Sequence, residues 1–349
     1  MQITIVVMNN RTTAPADSNT LPKTERSHPD AAYLRRPKVG ISKCMLGEKV
    51  RYDGGHKADR FVRDTLGEYI DFVPVCPELE MGLSIPREPI RLERHNDAIL
   101  LVAPGSGTDH TTQMVNYTEQ RLKTLQAENL SGYIVQKKSP SCGMERVKVY
   151  SPDNPMPDHN GTGLFTAALM RAFPELPIEE NGRLNDPVLR DNFIERIFAY
   201  QRIGQFFESD WRVGDLVAFH SDEKYLLLAH DETIYRELGR LVAHASQMPT
   251  QEIARAYPAM FMNGMKKIAT AAKHTNVLQH IAGYFKKSLD SNDRAEIQEI
   301  ISRYHAGQVP LIVPITLLQH HIRKQNQTYL INQTYLNPHP QELMLRNHV

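Results

Sequence analysis

The sequence predicts an α/β fold, an N-terminal open and mostly parallel sheet, followed by a second domain that is all-helical. Three observations carry this expectation. Short runs rich in β-branched residues, Lys38-Val39-Gly40-Ile41-Ser42, Asp71-Phe72-Val73-Pro74-Val75 and Tyr133-Ile134-Val135, alternate with helical segments, as buried parallel strands do. Each run ends shortly before a cysteine: Cys44, Cys76 and Cys142. Beyond residue 187 the alternation stops and apolar residues recur every three or four positions, the period of an amphipathic helix.

Taken in order, residues 9–36 are rich in Thr, Pro, Ser, Asp and Arg without apolar periodicity, so 1–37 reads as a flexible N-terminal extension. An α/β domain is expected over 38–175. Its elements are the first strand, a helix around Ala58 to Leu66, the second strand, and a further strand at Ile99 to Val102. Then comes a long helix from Thr111 to Glu128 with Val115, Leu122 and Leu125 at helical spacing, followed by the strand before Cys142. Gly161-Thr162-Gly163 opens a helix through Ala172, which Pro174 and Pro177 end. Pro74 is unusual for a central strand, since proline favours sheet edges.

A linker around Leu176 to Pro187 leads to the helical domain, 188–349. The spacing of Phe193, Ile197, Tyr200 and Ile203 predicts its first helix. Later helices are expected over Glu223 to Ala245, Gln251 to Ala271 with a break at Pro258, Asn276 to Phe285, Asp293 to Tyr304 and Pro314 to Tyr329.

Composition is that of an ordinary globular protein, 41% hydrophobic and 23% charged over 349 residues. No stretch approaches the roughly 20 apolar residues of a membrane span. The apolar start, Met1 to Val7, lacks the basic region and cleavage signature of a secretory signal, which points to the cytoplasm. The formal net charge is +1, but its distribution is uneven. Val188 to Ala254 holds 7 Lys+Arg against 11 Asp+Glu, whereas Arg255 to Val349 holds 11 against 5 and seven of the fifteen histidines. The C-terminal third is therefore a basic surface candidate.

Three widely spaced cysteines make a poor disulfide framework and point to thiols or metal ligation. If the three strands are parallel, their carboxyl ends bring the cysteines to one place, where open α/β sheets bind ligands. Three thiolates fit a zinc site completed by histidine or an iron-sulfur cluster with one iron left open. The plain alternative is three buried small apolar side chains. In Cys76-Pro77-Glu78 the proline favours an extended Cys76, which would place Glu78 on the same side, where a carboxylate can activate water or carry a proton. Ser139-Pro140-Ser141-Cys142 offers hydroxyls at the same site, although serines beside proline also simply fix turns.

These residues carry a resemblance. Cys44-Met45-Leu46-Gly47 with Arg51-Tyr52-Asp53-Gly54, Cys76-Pro77-Glu78 with Gly82-Leu83 and Pro86-Arg87, and Ser139-Pro140-Ser141-Cys142-Gly143 together resemble the thiouracil desulfidase family over about Lys38 to Ala172. The resemblance implies that Cys44, Cys76 and Cys142 hold a 4Fe-4S cluster whose fourth iron has no protein ligand. It further implies that Glu78 is the catalytic acid or base and Ser139 a catalytic hydroxyl near the substrate. Arg51, Asp53, Lys137 and Ser141, in or beside these motifs, are the expected substrate-binding residues. Phe219-His220-Ser221 with Lys224-Tyr225, Gly283-Tyr284-Phe285-Lys286-Lys287, Pro310-Leu311-Ile312-Val313-Pro314 and the ending Pro338-His339-Pro340-Gln341-Glu342-Leu343 resemble the helical domain often fused to such desulfidases. In those fusions the implied substrate is 4-thiouridine in tRNA, with the helical domain helping to bind the RNA; free thiouracil is the smaller alternative.

Lys266, Lys267, Lys286, Lys287, Arg323 and Lys324 are the candidate phosphate contacts, with Tyr284, His320, His321 and Tyr329 available to stack or hydrogen-bond. A charge pair on a helix is also what any solvated face presents. The adjacent His320 and His321 point to different faces of a helix and do not readily share one ion. Two readings of function follow. One is a non-redox desulfidase acting through the cluster; the other is an RNA-binding protein with a structural or redox-sensing metal centre, which would have no need of Glu78.

Overall fold

The computed structural model describes residues 36–151 and 154–349, so the expected N-terminal extension, apart from its last two residues, lies outside the described residues. The first half is α/β and the second mostly helical. Strands β1 (Lys38–Ser42), β2 (Asp71–Val75), β6 (Gly132–Val135) and β9 (Ile178–Glu180) form an all-parallel sheet in the order β2-β1-β6-β9. β2 is the outermost strand, which explains Pro74. Its missing N–H interrupts no second ladder on the open side.

A second sheet has no counterpart in the sequence reading. β3 (Arg91–His95), β4 (Ala98–Ala103), β5 (Thr108–Asp109), β7 (Val147–Ser151) and β8 (Asn154–Gly161) pair in the order β5-β4-β3-β7-β8, and only β3 and β7 run parallel. The strand expected at Ile99 to Val102 belongs here. Asn96 takes a left-handed conformation (φ 54°) between β3 and β4, and so tight a turn joins antiparallel neighbours. The helix expected around Ala58 to Leu66 is a short irregular one, a π turn at Phe61–Thr65 followed by a 3-10 turn at Leu66–Glu68.

Helix α1 (Pro77–Glu80) follows β2, α2 (Thr111–Ala127) precedes β6, and α3 (Leu164–Ala172) opens after Gly163 as the sequence indicates. On α2 the buried stripe is Met114, Thr118 and Leu125, while Val115, expected in the core, is 43% exposed. Val115 lies one position, about 100°, around the helix from Met114.

The second half consists of α4 (Pro187–Glu208), α5 (Val213–His230), α6 (Glu232–Ala243), α7 (Thr250–Met265), α8 (Ala271–Gly283), α9 (Ser291–His305), α10 (Ile312–Lys324) and α11 (Thr328–Ile331). Three expectations are corrected. The single helix over Pro314 to Tyr329 is two, since α10 ends at Lys324 and α11 begins at Thr328. The single helix over Glu223 to Ala245 is two helices, because the Asp231 carboxylate accepts the Thr233 and Ile234 N–H groups and starts α6. Pro258 does not break α7; burial of Ile253, Tyr257, Phe261, Met262 and Met265 on either side holds the helix through the lost hydrogen bond.

α4 connects the halves. Asp186 caps it by accepting from the Val188 and Leu189 N–H groups. Phe193, Ile194, Ile197 and Phe198 pack with Val39 and Ile41 of β1, Ile134 of β6, and Leu343 and Leu345 near the C-terminus, whereas Ala199 and Ile203 belong to the helical core. Gly132 of β6 allows this approach, since a Cβ there would sit 2.8 Å from Ile197. Among the described residues no helix is long and apolar enough to cross a membrane.

Two of the buried histidines of the helical half, His220 and His274, predict its acid sensitivity. Burial and the nearby Lys224 push His220 down to about 4, and burial and the charge of Arg346 push His274 down to about 3. Both therefore stay neutral in the folded chain while an unfolded chain takes up protons below about 6.5. Stability is retained above that value and is lost as pH falls toward the folded values, by at most about 1.4 kcal/mol per pH unit for each histidine. Urea midpoints measured from pH 7.5 down to pH 5 should fall, and His274→Gln should flatten the slope.

Candidate active site

The carboxyl ends of β1, β2 and β6 open onto one cleft of about 360 Å³, and Cys44, Cys76 and Cys142 all line it. Cys44 lies in a 3-10 turn, Lys43–Leu46, that begins where β1 ends and closes on Gly47 with φ 96°, a conformation suited to glycine. Cys76 is extended and forms the N-cap of α1; its N–H donates to the Glu80 carboxylate at 2.9 Å. Cys142 follows β6 in a loop folded on itself. Ser139 Oγ accepts from the Cys142 and Ser141 N–H groups at 3.1 and 3.3 Å, and the Gly143 N–H donates to Ser139 O.

The start of α3 locks this loop. Its first N–H groups, which have no partner within the helix, donate instead to the Cys142 loop: Leu164 to Pro140 O and Phe165 to Ser141 O. Thr166 Oγ1 donates to Cys142 O at 2.6 Å. Gly163 makes the approach possible. A Cβ at that position would stand 2.5 Å from the Ser141 carbonyl and 2.7 Å from Cys142 N.

Glu78 also lines the cleft, but not by the extended alternation that the sequence suggested. Pro77 starts a helix, and Glu78 lies in its first turn. Arg87 holds one carboxylate oxygen through Nη2 at 2.6 Å and Nε at 3.1 Å, and also donates to Val50 O at 3.0 Å. The other oxygen accepts from Ser141 Oγ at 2.6 Å, and the Ser141 and Ser139 hydroxyls are 2.9 Å apart. Ser141, rather than Ser139, is thus the hydroxyl that touches Glu78, and it also lies 3.5 Å from Cys142 Sγ.

Burial raises all three thiols. Cys44 is pushed up to about 11 by burial and then by Cys76, and Cys142 to about 12 by burial and then by the charge of Glu78; Cys76 is raised chiefly by burial. Left without a cation the three are protonated near neutrality, and a bound metal centre must displace their protons.

Of the expected substrate-binding residues, Arg51, Lys137 and Ser141 line the cleft. Asp53 sits on the adjoining turn, where its carboxylate accepts from the Gly55 N–H at 2.9 Å and lies 3.7 Å from Arg51. Lys43, Lys57 and Lys138 add positive charge to the lining, and Arg87 offsets the charge of Glu78. The sequence reading gave Arg87 no role. The signal was present in Pro86-Arg87, since a carboxylate in a half-buried cleft needs a cation.

The six expected phosphate contacts are spread over the helical half. Lys266 donates to Pro174 O at 3.3 Å, and Lys267 pairs with Asp231 at 2.6 Å. Lys286, Lys287, Arg323 and Lys324 are exposed. The N–H groups of Asp293 and Asn292 hold the Asp290 carboxyl low, helped by Lys324 and Arg294, so the end of α10 lies near the start of α9. Tyr284 and Tyr329 stack at 5.4 Å with Lys224 over Tyr329. His320 is exposed and His321 buried.

Residues 39–181 match a family model described as 2-thiouracil desulfurase, and residues 224–340 match one described as a protein of unknown function, DUF1722. The chain is 30% identical over 158 residues to the uncharacterized protein YbgA of Escherichia coli (strain K12), over 45% of this chain and 94% of the relative. It is 32% identical over 151 residues to the uncharacterized protein YbbK of Bacillus subtilis (strain 168), over 42% of this chain and 97% of the relative. Among solved structures it is similar to the 4Fe-4S-dependent thiouracil desulfidase TudS, at 29% identity and a TM-score of 0.35, over 43% of this chain and 93% of that one.

The contact between Gly163 and the Cys142 loop predicts a large effect for a small change. Gly163→Ala must displace backbone rather than a flexible side chain, at a cost of about 1–3 kcal/mol. Urea unfolding should show that loss, and a midpoint equal to that of the parent chain would contradict the tight approach.

Proposed function

Since the chain belongs through residues 39–181 to the 2-thiouracil desulfurase family, we propose that it removes sulfur from thiolated pyrimidines by hydrolysis, with 4-thiouridine in tRNA as its main substrate. The observation that carries this reading is the convergence of three cysteines and the Arg87-held Glu78 on one cleft. The donor set suits a 4Fe-4S cluster: three thiols on one cleft and no fourth cysteine in the chain. Cys44, Cys76 and Cys142 would hold it. When bound, such a cluster supplies a Lewis-acidic iron with affinity for a soft thiocarbonyl sulfur.

The remaining chemistry falls to the protein side chains. Glu78 is the base that takes a proton from water as its oxygen attacks the ring carbon, and the acid that returns a proton to the departing sulfur. Overall, C=S and H₂O become C=O and H₂S, with no change in electron count. Arg87 orients Glu78 by holding one of its oxygens. Ser141 fixes its other oxygen, and Ser139 sets both the turn and the orientation of the Ser141 hydroxyl. Arg51, Lys137 and the neighbouring lysines form a positive rim suited to a phosphate-bearing substrate.

The helical half contributes RNA affinity in this reading. Support comes from the 11 against 5 charge balance from Arg255 to Val349 and from the exposure of Lys286, Lys287, Arg323 and Lys324. Lys266 and Lys267, engaged with Pro174 and Asp231, are weaker phosphate contacts than the other four.

Anaerobically purified protein should contain iron and sulfide and release sulfide from thiolated RNA. Cys142→Ala should lose iron and activity together; iron at the parental level would refute the ligand set. Glu78→Gln should retain iron but lose on the order of a hundredfold or more in turnover, and near-normal sulfide release would refute its role. In the full chain, Lys286→Glu with Lys287→Glu should weaken tRNA binding, lessen its salt dependence and leave iron content unchanged. Unaltered affinity would remove this pair from the RNA surface.

A further inference from the structure

The largest concentration of buried ionisable groups outside the cysteine cleft lies where the C-terminal segment meets α4. Asp191 and Glu195 stand four residues apart on α4, hence on one face. His339 reaches them from a point 148 residues later in the chain. All three are buried, and their donor atoms lie within 4.8 Å of one another. A cavity of about 570 Å³ is lined by Asp191 and Glu195 and gives access to them. We propose that Asp191, Glu195 and His339 bind a divalent first-row transition-metal cation, a second metal site independent of the cysteines.

The contacts of His339 leave room for a cation between it and Asp191. His339 Nδ1 faces the Pro340 carbonyl at 3.1 Å, and Nε2 faces Asp191 Oδ1 at 3.2 Å. A neutral imidazole donates from one nitrogen only. With Nδ1–H given to the carbonyl, the arrangement usual for a histidine ligand, the Nε2 lone pair meets a carboxylate oxygen, and a cation between them turns that repulsion into coordination. The 3.2 Å separation fits, since metal bonds of about 2.0–2.2 Å place adjacent ligand atoms roughly 3 Å apart.

Glu195 is already held for such a role. Arg346 Nη2 bonds one oxygen at 2.7 Å and His230 Nε2 the other at 3.1 Å, while His230 Nδ1 faces Lys267 O at 2.7 Å. Each carboxylate oxygen keeps a second lone pair for the ion, and ligating carboxylates are commonly held by such outer hydrogen bonds. Two carboxylates and one imidazole, without sulfur, select Mn²⁺, Fe²⁺, Co²⁺ or Zn²⁺ over softer ions. Three protein donors leave coordination positions for water or a ligand.

The test uses the full-length chain with Cys44, Cys76 and Cys142 replaced by Ser, so that no thiolate competes, titrated with Co²⁺. One equivalent should bind with visible ligand-field bands, be displaced by Zn²⁺, and bind at least tenfold more weakly once Asp191→Asn or His339→Gln is added. No uptake by the starting chain, or equal uptake by those variants, overturns the proposal. If either variant fails to fold, the starting chain decides through its thermal midpoint. That midpoint must rise with Zn²⁺ concentration as mass action requires, and a midpoint unmoved by Zn²⁺ overturns the site.

Discussion

Parallel pairing of β1 with both β2 and β6 is the constraint on which the first half depends. It aligns three strand ends at one edge of the sheet, so residues 32 and 66 positions apart in sequence arrive at one cleft (44 to 76, 76 to 142). An antiparallel β6 would have carried Cys142 to the opposite end. Parallel strands must be joined by crossovers that cover the sheet faces. Here α4, from the helical half, supplies part of that cover over β1 and β6, and Gly132 provides the room.

The helical half is therefore part of what supports the cleft. Each apolar side chain that α4 buries against the sheet contributes about 1.5–3 kcal/mol, and Leu343 and Leu345 extend the same cluster from the far end of the chain. The polar joint next to it is less forgiving. Buried Glu195 has Arg346 and His230 against it and Asp191 has His339, and a buried ion pair stripped of one partner leaves an uncompensated charge. The C-terminal segment is thus tied to α4 by both apolar packing and ion pairing.

Within the cleft the same physics sets the chemistry. Burial favours neutral thiols, so positive charge from a bound metal centre is what would hold them as thiolates. Glu78 is held in the cleft lining by Arg87 on one oxygen and Ser141 on the other. A base poised between a fixed cation and a fixed hydroxyl has little freedom to reorient, which is how positioned groups lower a barrier.

Much of this was legible in the sequence because it depends on local regularities. Runs of β-branched residues and three-and-four spacing marked most strands of the parallel sheet and most helices, and cysteines placed just beyond those runs marked the cleft. The misreadings arose where core packing or a helix-starting residue overrode the expected pattern. Pro258 stays helical because the residues beside it are buried; Asp231 divides a continuous apolar pattern by capping; Pro77 turns an expected extension into a helix that still delivers Glu78. The mixed second sheet escaped notice because β3 and β8 are polar and β5 has two residues, too little pattern to register. Arg87 on Glu78, α3 on the Cys142 loop and His339 on Asp191 join residues 9, 24 and 148 positions apart. The sequence by itself determined which residue types were available for chemistry. Only the tertiary structure decided which of them meet, because a hydrogen bond or ion pair forms over about 3 Å of space whatever the separation along the chain.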